Sequence, residues 1–246
     1  MARQEGSYLS APRWARHARQ GRWQVRFKLL SLEEILHKSP EDIERAVREW
    51  IASDGLSSVS NFSCKAPAEG AERVLWLCPA CGALHSIRSH GDELFCRDCS
   101  AAWRIDANQR ICWKSTTQRP HADLPTLRAW IDLQAEAIQL RSAYSPQEKA
   151  LFPPDRATIW QRDEHGWQAL GKRDLALTKT SIRLIGHDSR QKIALKSAEG
   201  FVDHFNRYSE FSGAGQRYRI RFEHECSFRW IQTLAILADY EKGATA

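Results

Sequence analysis

The 246 residues of this chain suffice for one large domain or for two to three small ones. Hydrophobic residues make up 42% of the chain and ten residues are tryptophan, which predicts folded cores and argues against intrinsic disorder. No run approaches the roughly twenty consecutive apolar residues that a membrane-spanning helix needs, so we expect a soluble or peripheral protein.

The formal net charge of +6 is distributed unevenly along the chain. Residues 1–28 contain seven basic residues and one acidic residue, whereas residues 29–246 contain 29 of each kind. The basic character therefore belongs to the N-terminal segment. Two interpretations of that segment stay open, a solvated face and a contact with anionic lipid or phosphate.

The N-terminal quarter contains signals for one strand and two helices. An extended stretch is predicted over Tyr8–Trp14, because the residue before a proline is kept out of the helical region. The alternation of apolar and polar residues over Trp23–Leu29 predicts a half-buried strand. Ser31 opens a short helical turn. Ser39–Asp42 then supplies an N-cap, a proline and an acidic first turn to a helix whose apolar stripe covers Ile43–Ile51.

Two CxxC pairs occupy the middle of the chain, Cys78-Pro-Ala-Cys81 and Cys96-Arg-Asp-Cys99. Their spacing suits four thiolates around one tetrahedral Zn²⁺. Two short strand-like runs separated by His90-Gly91-Asp92 lie between the pairs, which is the plan of a zinc ribbon. Because sulfur fills all four coordination positions, we expect one structural Zn²⁺ per chain and no catalytic metal.

Two other uses of these cysteines compete with zinc binding, namely disulfide bonds and a redox-active motif. Two disulfides require an oxidising compartment, but the N-terminus has no apolar signal segment, and Cys64, Cys112 and Cys226 remain over. A redox-active CxxC motif is typically single and lies at a helix start after a strand. Structural zinc is the favoured interpretation, and the three remaining cysteines are interpreted as small core residues.

The remaining residues predict a helix, a series of short strands and a final helix. The first helix covers Asp123–Ser142 and has one face expected to be buried, formed by Leu127, Trp130, Ile131, Gln134 and Ile138. The last helix bears Trp230, Ile231, Leu234, Leu237 and Ala238. The strand candidates between them are 157–161, 166–170, 175–177, 181–185, 192–195 and 217–222.

These elements predict an α+β, multidomain chain. Antiparallel strands that a C-terminal helix caps favour a small pleckstrin-homology-like (PH-like) barrel or open roll. The predicted units are a basic segment with a strand and helix (1–56), the zinc ribbon (71–114), a helical connector (122–144) and the PH-like β domain (155–241).

Three segments, in this order along the chain, carry a resemblance to one family. They are Tyr8–Trp14 continuing through Arg19–Arg22 and Phe27–Ile35, then Ala68–Cys81 running into Phe95–Cys99, and then Arg217–Ile220 followed by Phe228–Ile231. Together they resemble the C-terminal half of bacterial 1-acyl-sn-glycerol-3-phosphate acyltransferases, the lysophosphatidate acyltransferase family. The middle segment is the most specific of the three.

The resemblance implies that residues 1–56 match the end of the family's acyltransferase domain. The family acylates lysophosphatidate from an acyl thioester and uses a His-x4-Asp motif together with a Glu-Gly-Thr-Arg-type segment. His37 and Asp42 have the first spacing, but they straddle a helix start, and Glu69-Gly70 and Glu199-Gly200 lack the following Thr-Arg. We therefore interpret all three as structural and assign no catalytic or cofactor-binding residue. Whether the chain belongs to an enzyme stays open.

Two functions follow from this reasoning. The first is a zinc-binding, non-catalytic accessory portion of a phospholipid-synthesis acyltransferase, in which a split or shortened enzyme relies on a catalytic partner. It would be cytoplasmic and peripheral at the inner face of the cell membrane, with the catalytic half, another protein or an anionic membrane surface as partner. The alternative is a stand-alone zinc-ribbon adaptor that binds nucleic acid or protein. The near-neutral ribbon argues against nucleic acid.

Overall fold

The computed structural model describes residues 2–5, 15, 24–51, 64–106, 110–114, 124–186, 190–204, 208–223 and 227–243. Helices and antiparallel sheets are both present, so the expected α+β class is confirmed. Among the described helices, none combines the length and the apolar character that crossing a bilayer requires.

The N-terminal part forms a small two-stranded sheet and two helices. Strand β1 (Ala2–Glu5) pairs antiparallel with β2 (Gln24–Phe27), so a strand is present within the predicted range Trp23–Leu29. The predicted half-burial is wrong at Phe27 and Leu29, which are 75% and 90% exposed. Helix α1 covers Leu32–Leu36 and helix α2 covers Pro40–Ile51. The extended stretch predicted over residues 8–14 lies outside the described residues.

Serine caps start both of these helices, as their sequences predict. The Ser31 hydroxyl accepts a hydrogen bond from the Glu34 backbone N–H at 3.1 Å, and the Glu34 carboxylate accepts one from the Ser31 N–H at 2.8 Å. This capping box holds the pKa of Glu34 below its ordinary value, chiefly through the Ser31 backbone N–H. The Ser39 hydroxyl likewise accepts a hydrogen bond from the Asp42 N–H at 3.1 Å.

The four cysteines lie in a unit that we call the cysteine unit (residues 64–114). It contains a four-stranded antiparallel meander of β3 (Ile87–His90), β4 (Glu93–Cys96), β5 (Ala102–Ile105) and β6 (Ile111–Trp113). The turn between β3 and β4 falls at Gly91 and Asp92, where the sequence predicts it. Small and apolar side chains fill the space between this sheet and the segment before it.

Helix α3 (Leu127–Tyr144) follows the cysteine unit. Its N-cap is Thr126, whose hydroxyl accepts a hydrogen bond from the Ala129 backbone N–H at 3.1 Å. The predicted helix was therefore right in kind but offset, because the cap at Thr126 fixes the start. The predicted buried face is confirmed at Leu127, Trp130, Gln134 and Ile138.

The last third forms a seven-stranded antiparallel sheet that curls into a half-barrel, which we call the curled sheet. Its strand order is β10-β9-β8-β7-β13-β12-β11, and helix α4 (Phe228–Gly243) follows it in the chain. The strands are β7 (Asp155–Asp163), β8 (Gly166–Leu177), β9 (Ser181–Ile185), β10 (Arg190–Ala194), β11 (Glu199–Asp203), β12 (Ser209–Gly213) and β13 (Gln216–Phe222).

Three of these strands differ from the sequence prediction. The separate strands predicted at 166–170 and 175–177 are one strand, β8, which accommodates an extra residue through a bulge opposite Ile159 and Trp160. Strands β11 and β12 were missed because neither carries the apolar alternation on which the prediction relied. Both pair through their backbones all the same.

The cysteine unit and the curled sheet share buried side chains. Trp76 and Leu77, which lead into the first CxxC pair, pack into the core of the curled sheet. Trp130 of helix α3 packs into the core of the cysteine unit, with its ring centroid 4.8 Å from that of Trp103. Tertiary contacts therefore hold the four-cysteine cluster directly against the rest of the fold.

Candidate metal centre

Each CxxC pair is held in a turn by two backbone hydrogen bonds. In the first turn, the Gly82 N–H donates to the Cys78 carbonyl oxygen at 2.8 Å, and the Cys78 N–H donates to the Ala83 carbonyl oxygen at 2.9 Å. In the second, the equivalent donors are Ser100 and Cys96, at 3.0 and 2.9 Å. The two turns thus repeat one geometry, which places both sulfurs of each pair on the same side.

The residue after each pair adopts the left-handed conformation. Gly82 has φ +74° and Ser100 has φ +58°, so the second turn makes serine adopt a conformation that favours glycine. A glycine following the first pair is the sequence signal for such a turn. The second turn lacks that signal, although its backbone is bent in the same way.

The four sulfur atoms converge, as the spacing of the cysteines predicts. They all lie within 4.8 Å of one another, and the Sγ–Sγ distance is 3.8 Å for Cys78–Cys99 and for Cys81–Cys96. Sulfur atoms about 2.3 Å from a common ion in a tetrahedron are separated by about 3.8 Å. A disulfide needs about 2.05 Å, and all four cysteines are free thiols. The geometry therefore fits a metal ion better than a disulfide.

Burial of two of the cysteines disfavours their charged thiolate form. Cys78 and Cys96 are each 1% exposed, whereas Cys81 is exposed. Burial is the main cause that raises the pKa of the Cys78 thiol far above its ordinary value, although the N–H groups of Cys81 and Ala80 act in the opposite direction. A bound cation compensates the charge of buried thiolates, so this donor set fits a metal that prefers sulfur.

A side-chain hydrogen bond ties the two turns together. The hydroxyl of Ser86, which is 4% exposed, donates to a carboxylate oxygen of Asp98 at 2.7 Å. The backbone reinforces this link, since the Arg97 N–H donates to the Ser86 carbonyl oxygen at 3.0 Å. Asp98 lies inside the second CxxC pair, so Ser86 positions that pair relative to the segment after the first. Sequence reasoning did not identify Ser86 or Asp98.

Helix α3 supports the segment that leads into the first pair. The side-chain oxygen of the fully buried Gln134 accepts hydrogen bonds from the backbone N–H groups of Trp76 at 2.8 Å and Leu77 at 3.3 Å. Its side-chain nitrogen donates to the Val74 carbonyl oxygen at 3.0 Å. The Trp130 indole N–H also donates to the Leu77 carbonyl oxygen, at 2.8 Å. Side chains of helix α3 therefore provide the hydrogen-bond partners of backbone groups that are not paired within a β-sheet.

The look-alikes of the acyltransferase motifs have local structural contacts. Asp42 accepts a hydrogen bond from the Ser39 hydroxyl at 3.0 Å and also forms an ion pair with Arg45, while His37 ends helix α1. Gly70 opens a 3₁₀ turn with φ +93°, and Gly200 lies at the start of strand β11 with φ +65°. The structure thus places Asp42 at a helix start and both glycines at backbone positions with positive φ.

A second polar cluster lies where strand β7 begins. The carboxylate of Asp155 accepts a hydrogen bond from the Trp230 indole N–H at 2.6 Å and also pairs with the guanidinium of Arg229, which is 3% exposed. The Nε2 atom of His85, from the cysteine unit, lies 3.9 Å from Asp155. The adjoining cavity of about 10 Å³ has room for about one water molecule, and the cluster joins strand β7, helix α4 and the cysteine unit.

Fold and site together define an α+β protein with a candidate four-sulfur metal centre. A comparison with protein-family models gives no match, and a comparison with curated proteins gives none either.

Proposed function

We propose that the four cysteines bind one structural Zn²⁺ and that the cysteine unit is a zinc ribbon. Two observations support this. The Sγ–Sγ distances of 3.8 Å for Cys78–Cys99 and Cys81–Cys96, within a cluster no wider than 4.8 Å, suit a tetrahedral ion of zinc's size, and four sulfur ligands leave no coordination position for water or substrate. The order of the seven strands and the helix after them support a PH-like assignment of the curled sheet.

On this scaffold, we propose a non-catalytic role as the accessory portion of a phospholipid-synthesis acyltransferase. The enzyme would transfer acyl groups from acyl-CoA or acyl carrier protein to lysophosphatidate, and this chain would position its catalytic half. The observation that carries the proposal is an exposed apolar surface at the end of the N-terminal part, which we call the apolar surface. It consists of Phe27, Leu29, Leu32, Ile35 and Leu36, which are 40–90% exposed.

Helices α1 and α2 strengthen the case for a docked partner. No residue of α1 is buried, and Ile43, Val47 and Trp50 of α2 are only partly buried. An amphipathic helix pair is stabilised chiefly by burying its apolar face, so these helices are best explained by a protein that covers them. The resemblance of this segment to the end of an acyltransferase domain supports the catalytic half as that protein.

Acyl transfer measured with purified components tests this role. The chain is added to the isolated catalytic domain of a bacterial lysophosphatidate acyltransferase, with acyl-CoA and lysophosphatidate as substrates. We expect the chain alone to be inactive and to raise the rate of the catalytic domain several-fold. Leu32→Asp with Leu36→Asp should abolish the stimulation, whereas Leu140→Asp, at a 59% exposed position of helix α3, should not. Activity of the chain alone, or no stimulation, would refute the role.

A stand-alone adaptor remains the second candidate, and one observation favours it. The outer face of the curled sheet concentrates arginines, which would suit any anionic partner. Salt dependence separates the candidates, because nucleic-acid binding weakens steeply as salt rises. Tight, salt-dependent binding of an oligonucleotide without any effect on acyl transfer would favour the adaptor.

A further inference from the structure

One face of the curled sheet carries a concentration of positive charge that the metal site does not use. Side chains alternate between the two faces of a strand, and the buried ones, such as Ile159, Tyr218 and Ile220, define the inner face. Along the outer face of β7, β8 and β13 lie six basic residues, which we call the basic face. They are Arg156, Arg162, Lys172, Arg217, Arg219 and Arg221.

Three arginines of the basic face have no ion pair within the described part of the chain. Arg156, Arg162 and Arg221 are exposed, and no described carboxylate lies within 4.0 Å of any of them. This holds even for Arg156, although Asp174 is opposite it in the strand register. Their guanidinium groups are therefore available to an external anion.

The register places like charges directly opposite one another. Arg162 on β7 is the pairing partner of Arg217 on β13. Facing like charges destabilise a pair of strands, and only Arg217 is compensated, by Glu210 at 2.9 Å. An external anion next to Arg162 removes this repulsion. The sheet thus has an electrostatic cost that a negatively charged partner would relieve.

The centre of the basic face is rigid. The guanidinium carbon of Arg219 lies 4.2 Å from the ring centroids of both Trp167 and Tyr208. Its Nε and Nη2 atoms donate to the same carboxylate oxygen of Glu210 at 2.9 and 2.7 Å, and Glu210 is 6% exposed. Arg219 is thereby committed to internal contacts, while the arginines around it face outward on a fixed sheet.

The same stacking argues against a single-stranded nucleic acid as the partner. Proteins that bind single strands present open aromatic faces on which bases stack. Trp167 and Tyr208 each have a ring face covered by Arg219, and neither is among the exposed large hydrophobic residues. At Trp167 and Tyr208 the basic face therefore offers no open ring for a base to stack on.

The spread of the free charges matches an extended anionic plane. Arg156 and Arg162 are separated by about 20 Å along strand β7, and neighbouring strands lie about 4.8 Å apart. A single phosphate cannot reach Arg156, Arg162 and Arg221 together, whereas a bilayer offers each its own headgroup.

We propose that the basic face docks this protein on a bilayer that contains anionic phospholipid. The inference rests on the proposed function, because it names the surface through which an accessory portion would position a catalytic half at its lipid substrate. Removing one cation from an anionic surface weakens binding about fivefold. Losing three therefore predicts a decrease of about 100-fold.

Vesicle co-sedimentation with the full chain tests this directly. The vesicles contain phosphatidylcholine with or without about one third phosphatidylglycerol, since membranes with anionic lipid attract basic segments. We expect binding to the anionic vesicles only. The variant Arg156→Gln/Arg162→Gln/Arg221→Gln should bind at least tenfold more weakly. The control Lys65→Gln/Arg128→Gln/Lys149→Gln, which removes the same charge at exposed positions elsewhere, should bind less than threefold more weakly.

The outcomes also separate this inference from the proposed function. A loss of less than tenfold in the arginine variant would overturn the inference, as would an equal loss in the control. Tighter binding of a single-stranded oligonucleotide than of vesicles, abolished in the arginine variant, would assign the face to nucleic acid instead. Vesicle binding is measured without any acyltransferase, so failed stimulation of acyl transfer leaves the vesicle result standing. Thermal unfolding and zinc content of each variant establish that it is folded.

Discussion

At the scale of single residues, Ser100 adopts an unfavourable backbone conformation next to the candidate metal centre. Its φ of +58° matches that of Gly82 in the first turn, where glycine adopts the left-handed region without strain. We predict that Ser100→Gly raises the free energy of unfolding of the zinc-loaded protein by about 0.5–1 kcal/mol. Urea unfolding with zinc present measures the change.

The matched control for this substitution is Ser145→Gly. Ser145 has φ −81°, where glycine brings only extra freedom to the unfolded chain, so that variant should lose about 0.5–1 kcal/mol. If the two variants changed stability in the same direction, the left-handed conformation of Ser100 would carry no cost.

Glu148 provides a residue whose contribution depends on pH. Its carboxylate accepts hydrogen bonds from Lys192 at 3.1 Å and from Thr180 at 3.3 Å, and it pairs with Arg183. The Lys192 contact is the first cause that lowers the pKa of Glu148 from its ordinary value of 4.5. The folded state therefore favours the charged carboxylate, which contributes stability above the ordinary pKa. That contribution disappears as the pH falls through the lowered folded value.

We predict that Glu148→Gln is less stable than the wild type at neutral pH and that the gap closes as the pH falls below 4.5. Urea unfolding over a pH series measures it, and added salt should narrow the gap because Glu148 is exposed. Glu136→Gln, at an exposed position of helix α3, is the control. A gap that widened towards acidic pH would contradict the sign of the pKa change.

At the scale of elements, helix α3 stabilises the metal centre through Gln134. Replacing Gln134 by Ala leaves two backbone N–H groups and one carbonyl without their partner in a fully buried place. Each unsatisfied buried group costs about 1–3 kcal/mol, so we predict a loss of about 3 kcal/mol or more. Gln139→Ala, on the exposed side of the same helix, should cost less than about 0.5 kcal/mol. Urea unfolding compares the two.

Gln134 also marks the limit of sequence reasoning about elements. The 3.6-residue period correctly placed it on the buried face, but its partners lie about 60 positions earlier in the chain, and local patterns carry no information about them. The convergence of the four candidate ligands was predictable, because the spacing within and between two CxxC pairs is enough to indicate it. Strands β11 and β12 were not, because backbone pairing within a sheet determines them. The domain boundaries inferred from the sequence stay a prediction.

At the scale of the whole molecule, the metal centre and the curled sheet are joined by buried contacts. Trp76 is fully buried, meets the Phe152 ring edge-on with centroids 5.4 Å apart, and donates its indole N–H to Gln232 at 3.0 Å. Gln232 in turn donates to the Ile131 carbonyl oxygen of helix α3 at 2.9 Å. Trp76, which leads into the first CxxC turn, therefore contributes to the core of the curled sheet. This predicts that the cysteine unit and the curled sheet unfold together.

Zinc removal tests that coupling. Structural zinc contributes about 10–16 kcal/mol of apparent binding free energy, comparable to the whole stability of a domain. We predict about one zinc per chain, and that a chelator or Cys78→Ser with Cys96→Ser unfolds the cysteine unit and lowers the thermal midpoint of the curled sheet in the same transition. Metal analysis measures the zinc content, and tryptophan fluorescence and far-ultraviolet circular dichroism follow the unfolding of the cysteine unit and of the curled sheet. Cys112 is exposed, so its interpretation as a core residue is wrong, and Cys112→Ser should retain the zinc and the midpoint. A curled sheet that melted at an unchanged midpoint after zinc loss would show that Trp76 is dispensable to its core, and a fully folded, metal-free protein would refute the structural role of zinc.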